Sequence, residues 1–161
     1  MTWLWTGHDL HRCIPCGPLC FEADNAREGA EITMKALSVK QPYASWIADG
    51  SKTIETRKWA TKYRGPLLIC SSARTDEETI NAAYSSLIRL GGRMGNFSSA
   101  DYGMALCTVD LAGCRPMTKG DERSARCEFY EGAFSWELRN LQRVKPFPVK
   151  GMLGLFRVNL P

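Results

Sequence analysis

At 161 residues, 44% hydrophobic and 24% charged, the chain has the length and composition of one globular domain with a core of its own. No apolar run nears the ~20 residues of a membrane-spanning helix, and the start, MTWLWTGHDLHRC, has no basic segment followed by a long apolar one, so the expectation is a cytoplasmic protein without a secretory leader. A net charge of +4 permits an anionic partner without requiring one, because bulk charge bears on association rather than on fold.

Residues 1–33 hold both histidines and three of the seven cysteines, then the acidic, alanine-rich EADNAREGAE, with no sustained period. They are expected to form a poorly ordered N-terminal extension, or sequence upstream of an initiator at Met34. His8, His11, Cys13, Cys16 and Cys20 invite a zinc reading, since Cys13 and Cys16 have a two-residue gap. No second pair follows to close a finger, and Pro15 and Pro18 interrupt the set, so no metal and no cofactor are expected. Cys70, Cys107 and Cys114 lie in apolar surroundings and read as small, reduced core residues.

Regular patterning starts at Met34. MKALSV reads as a first strand. QPYASWIADG follows as a short amphipathic helix: Pro42 suits its first position, Gly50 the residue past its end, and Tyr43, Trp46 and Ile47 fall at i, i+3, i+4. GSKTIETRKW, from Gly50 to Trp59, is the second strand. GPLLICSSA is a continuous apolar strand, buried on both faces. Thr75 and Glu78 form a capping box ahead of Ile80, Ala83, Tyr84, Leu87 and Ile88, a helix that Gly91 and Gly92 stop. GGRMGNFSSADYG is a flexible loop, MALCTVDLAGC a strand, and RPMTKGDERSARCEFYEG a long polar stretch with weak patterning. FSWELRNLQRVKPFPV reads as a strand with a turn before its prolines, and GMLGLFRVNL as the last strand. About six strands and two helices, with several strand-to-strand connections lacking a helix, disfavour a doubly wound sheet. They favour an α+β fold, a small β-barrel with flanking helices.

The second strand is unusual, because β-branched Thr53, Ile54 and Thr56 alternate with Lys52, Glu55, Arg57 and Lys58. Strict alternation puts Lys52, Ile54 and Thr56 on one face, and Thr53, Glu55, Arg57 and Trp59 on the other. If Ile54 marks the core, an acid, a base and an indole face outward together. Such a patch can hydrogen-bond to, neutralise and stack on a planar ligand. As a bare solvated Glu–Arg pair it contributes only about 0.5 kcal/mol.

The segment ALSVKQPYASWIADGSKTIETRKWATKYRGPLLICSSA resembles the start of an ASCH (activating signal cointegrator homology) domain, of the PUA-like superfamily. The pattern is L-S-apolar-basic-Q-P-aromatic-A, then G-x-K-x-x-E-x-R-x-W, then Y-R-G-P. The closing FSWELRNLQRVKPFPVKGMLGLFRV is similar to the family's aromatic-W-x-L and P-x-x-basic-G-x-L-G. The resemblance covers roughly Met34 to Leu160, makes residues 34–161 the expected domain, and implies a PUA-like barrel with two flanking helices and a cleft between barrel and helices. It implies binding of RNA, a nucleotide or a nucleoside, with no membrane partner. Some family members hydrolyse RNA or deacylate a modified nucleoside. In the deacylating members a Lys of the G-x-K motif, a Thr three residues later and a distant Glu form the site. Here the Lys is Lys52, the position three later is Glu55 rather than Thr, and the distant Glu falls near Glu128 or Glu131.

The binding residues implied are Lys40, Gln41, Lys52, Glu55, Arg57, Trp59, Tyr63, Arg64 and Ser71. Gln41 can read a base edge or cap the helix. Lys52 can hold phosphate or, with Glu55, act as the acid–base pair of a small metal-independent hydrolase. Arg57 can grip phosphate or stack on a base. Trp59 and Tyr63 are stacking rings or wall packing, Arg64 an anion contact, and the Ser71 and Ser72 hydroxyls phosphate contacts or turn formers. Trp46 reads as core, while Trp136 fits either barrel packing or a cleft wall.

Overall fold

The computed structural model describes residues 32–93, 98 and 101–161. His8, His11, Cys13, Cys16 and Cys20, with nearly all of the expected N-terminal extension, lie outside the described residues, as does most of the loop expected between Gly92 and Tyr102. The elements are β1 (Thr33–Val39), α1 (Tyr43–Ala48), β2 (Ile54–Arg57), β3 (Gly65–Ser71), α2 (Glu77–Arg89), β4 (Met104–Pro116), α3 (Glu122–Ala125), β5 (Phe134–Pro148) and β6 (Leu155–Asn159).

The six strands form one sheet in the order β2-β5-β4-β3-β1-β6. β1 and β3 pair in parallel, and the other pairs are antiparallel. The expected α+β fold is the one adopted, as a curled half-barrel with helices against it. Curvature comes from the two longest strands: β4 and β5 shift register at Ala105/Cys107, Thr108/Asp110 and Leu111/Gly113. Each such bulge raises the local twist.

Alternation along the strands builds two cores. Leu37 and Val39, Leu67 and Ile69, Cys107, Val109, Leu111 and Trp136 pack with Ala44 and Ile47 of α1. Ala36, Leu68, Cys70, Ala105 and Phe156 pack on the opposite face. β3 feeds both cores, which is why its sequence is continuously apolar. Burial pushes the Cys70 and Cys107 thiols up to about 12. Trp46 is fully buried against Ala83 and Leu87 and joins α1 to α2, and Trp136 is core.

Four sequence expectations are corrected. Pro42 precedes α1 as its cap residue instead of opening it. The α2 cap is Asp76, whose carboxylate accepts from Thr79 N at 2.7 Å. Thr75 Oγ1 instead accepts from Gln41 N at 3.0 Å, tying the start of α2 to that of α1. β5 runs unbroken from Phe134 through Pro148. Beyond Glu137 its only strand neighbour among the described residues is β4, and Pro146 and Pro148 are tolerated on such an edge. Finally, the weakly patterned polar stretch holds α3 and a preceding 3-10 turn, Lys119–Asp121. Both are too short to show a helical period.

Candidate functional site

β2 ends the sheet on one side, and β1 lies next to the strand that ends it on the other. Nevertheless Arg57 Nη2 donates to Ser38 O, near the end of β1, at 2.7 Å. This side chain spans a gap that no strand pairing fills. A cleft of about 260 Å³ opens at the gap, lined by Val39, Lys40, Tyr43, Lys52, Glu55, Thr56, Arg57, Cys127 and Tyr130.

A chain of charges runs along the cleft. Glu55 is 7% exposed in its side chain, with Oε1 3.2 Å from Arg57 Nη2 and Oε2 3.4 Å from Lys52 Nζ. Lys52 is 1% exposed in its side chain. Its Nζ donates to Ile54 O at 2.7 Å and Ala125 O at 2.5 Å and sits 5.2 Å over the Tyr43 ring. The ammonium group thus donates to two backbone carbonyls and pairs with one carboxylate. Strict alternation placed Lys52 with Ile54, but the structure places its head beside Glu55. The reason is local: Lys52 N donates to Trp46 O and Thr53 N to Ser124 O, so regular strand geometry starts only at Ile54. Ile54 packs separately, with Met117, Ala125 and Ala133.

The walls stay neutral. Burial, reinforced by neighbouring Cys127, Glu55 and Tyr130, pushes the Tyr43 phenol up to about 12. Burial also raises Tyr130, and it raises the Cys127 thiol against the opposing pull of Lys52. Thr56 Oγ1 lies 3.6 Å from Cys127 Sγ. One donor and two acceptor oxygens in the charge chain are not fully used. Arg57 Nε is buried without a partner. Each Glu55 oxygen is held by one cation and keeps a second acceptor position.

Lys40 stands at the rim, its Nζ donating to Asp76 Oδ2 at 2.9 Å and Thr79 Oγ1 at 3.2 Å. Lys40, Lys52, Glu55 and Arg57 therefore come together, and the other sequence candidates lie elsewhere. Gln41 is fully buried and its Oε1 accepts from Ser45 N at 3.1 Å, the capping role, while its Nε2 is buried without a partner. Trp59 is half-exposed and sits edge-on to Trp136, ring centres 4.6 Å apart. Tyr63 donates to Pro66 O and carries Lys35 over its ring. Arg64 donates to Thr61 O and Tyr63 O. The buried Ser71 hydroxyl bonds to Asp101 O and accepts from Met104 N, joining the loop before β4 to β3. Glu128 is gripped by Arg89 on the surface, and Glu131 is exposed.

Tyr43, Thr56, Cys127 and Tyr130 are cleft residues that sequence reasoning missed. Tyr43 carried only the signal of a helix's apolar stripe. Cys127 and Tyr130 sit in the segment without a period, and only the fold brings that segment to β2.

The sequence model described as "ASCH domain" matches residues 37–148. The chain is 32% identical over 128 residues to Activating signal cointegrator 1 of Homo sapiens, covering 76% of this chain and 22% of that protein. The Mus musculus protein of the same name is 31% identical over the same length. The chain thus spans about a fifth of these relatives. Among solved structures, ASCH from Zymomonas mobilis superposes with a TM-score of 0.49 at 14% identity, covering 78% of this chain and 87% of that one. A point mutant of that protein gives 0.48 at 11% identity, covering 78% and 89%. With its family model matched over more than half its length, the chain belongs to the ASCH domain family.

Proposed function

We propose that this ASCH domain binds RNA or a nucleotide, and that it takes one unpaired nucleotide into the cleft beside Lys52, Glu55 and Arg57. The observation that carries the reading is the buried Lys52–Glu55–Arg57 chain, ending in an Arg57 Nε with no partner. A buried, unsatisfied donor on a cation is costly unless a ligand or water meets it. The cleft volume of about 260 Å³ matches one nucleotide rather than a duplex, whose base edges are stacked out of reach. Tyr43 and Tyr130 supply uncharged rings beside the charges, suited to a base whose faces seek aromatic contact.

The second reading is a small metal-independent hydrolase, acting on RNA or a modified nucleoside through Lys52 and a carboxylate. The 3.4 Å approach of Lys52 to Glu55 favours it. The two backbone carbonyls that take Lys52 protons, with its near-complete enclosure, favour a positioning role for that residue instead. Labelled single-stranded RNA and acylated cytidine separate the two when incubated with wild type, Arg57→Ala and Lys52→Ala. Binding without product, weakened in Arg57→Ala, supports the binding module. Product from wild type establishes the enzyme, and its disappearance in a Lys52→Ala variant that keeps the wild-type circular dichroism assigns the chemistry to Lys52. If wild type yields neither binding nor product, both readings fail.

A further inference from the structure

The last 24 residues, Leu138 to Pro161, hold five basic side chains (Arg139, Arg143, Lys145, Lys150, Arg157) and not one Asp or Glu. That stretch alone outweighs the net charge of the whole chain, +4. Within it, the loop between β5 and β6 presents two apolar side chains to water: Leu153 is 100% exposed and Met152 59%. Burying such groups is favourable, so two adjacent ones left in water gain if a partner covers them.

The loop is anchored at both ends. Val149 N donates to Gly103 O at 2.9 Å, and Gly154, at φ +71°, makes the turn into β6 in the left-handed region that suits glycine. Gly151 lies so close to β1 that a methyl group on it would come within 2.6 Å of Ser38 Oγ. Ser38 is the residue whose carbonyl holds Arg57 at the cleft. The apolar tip therefore stands on the same strand end as the cleft, with the exposed Lys145 and Lys150 beside it in the chain.

We propose that Met152 and Leu153 form a wedge that enters a nucleic-acid strand, packing against a base step while Lys145 and Lys150 meet the flanking phosphates. Apolar side chains on a basic surface part stacked bases in this way, at the cost of unstacking. The exposed Lys145 and Lys150, in a segment that holds no acid, favour a polyanion as the partner. This inference rests on the nucleotide-binding reading of the cleft: the wedge frees a base, and the cleft receives it.

The test uses a hairpin RNA carrying 2-aminopurine at its single-strand junction, whose fluorescence rises on unstacking. Wild type is expected to bind and raise the fluorescence. The Met152→Ser/Leu153→Ser double variant, altered only at solvent-exposed positions, is expected to keep the wild-type circular dichroism and melting temperature. It should lose the fluorescence rise and about tenfold in affinity, while its binding of AMP stays unchanged. Lys150→Gln should weaken RNA binding and flatten its salt dependence. Equal unstacking by double variant and wild type overturns the wedge. AMP binding by wild type with no response from the RNA also overturns it and leaves the cleft reading standing. Loop-dependent unstacking that persists in Arg57→Ala, with no AMP binding by wild type, supports the wedge and overturns the cleft. Binding to phosphatidylserine vesicles that the double variant loses, without an RNA response, identifies a membrane surface as the partner and overturns the proposal.

Discussion

Lys52 and Arg57 share one carboxylate but differ in what their loss costs. Lys52 is almost wholly enclosed, so Lys52→Ala takes the partner from Glu55 Oε2, leaving Arg57 alone on the buried carboxylate, and empties two backbone carbonyls. A loss of about 3–5 kcal/mol is expected in urea denaturation. Arg57 is 25% exposed and leaves Glu55 still paired with Lys52. Arg57→Ala should cost roughly 1.5–3 kcal/mol at most while removing nucleotide binding, measured by calorimetric titration. A loss of stability as large as that of Lys52→Ala would show that Arg57 is chiefly structural. The chemistry of these residues was legible in the sequence, as charges set among β-branched neighbours. The side on which Lys52 lies was not, because alternation holds only where strand pairing holds, and that pairing starts two residues later. Trp59 and Tyr63 show the opposite limit: ring and cation neighbours in sequence suggested a stacking surface, and the fold spends them on Trp136, Pro66 and Lys35.

The helical turn before β5 hangs on one side chain. Asp121 accepts from Arg115 at 2.7 and 2.6 Å, from Thr118 N at 2.8 Å, and from the Thr118 and Ser135 hydroxyls at 3.0 and 3.1 Å. The Arg115 guanidinium, and after it the Thr118 amide and the two hydroxyls, hold its carboxyl well below the usual carboxylate range, against the effect of burial. The folded value lies below the unfolded one. The stability Asp121 contributes is therefore complete above about pH 4 and drains away as pH falls through the depressed value. Asp121→Asn should cost roughly 1.5–3 kcal/mol at pH 7 and flatten the acid limb of a stability profile. An unchanged acid limb would show that other carboxylates govern it. The alkaline limb has the opposite sign. Tyr43, Cys70 and Cys107 are raised in the fold to about 12, so what they contribute persists at neutral pH and is lost as pH climbs towards that value. Tyr43→Phe should make this loss shallower. α3 escaped the sequence because four residues cannot display a period, and its order comes from Asp121, Lys52 and Ser124 rather than from a hydrophobic stripe.

For the molecule as a whole, strand count and class were readable from apolar runs and turn residues, since each strand buries alternate or continuous side chains that leave a local trace. The pairing order was not, because it joins residues far apart in the chain: β2 meets β5, and β1 meets β6. If the cleft takes a base while the β5–β6 surface takes the backbone, affinity for single-stranded RNA should fall with a log–log salt slope of about −0.7 per phosphate contact, and affinity for a neutral nucleoside should barely respond. Equal slopes for both ligands would place the phosphate contacts inside the cleft. The gap between β1 and β2 has a mechanical counterpart. Two distant stretches of the chain are fastened there by a guanidinium reaching one carbonyl, whereas β4 and β5 are zipped over most of their length. Amide deuterium uptake should therefore be faster at β2, the edge strand of this seam, than along β4 in the free protein. A guest lodged there would act as a clasp, slowing uptake on both banks at once, including amides it never touches.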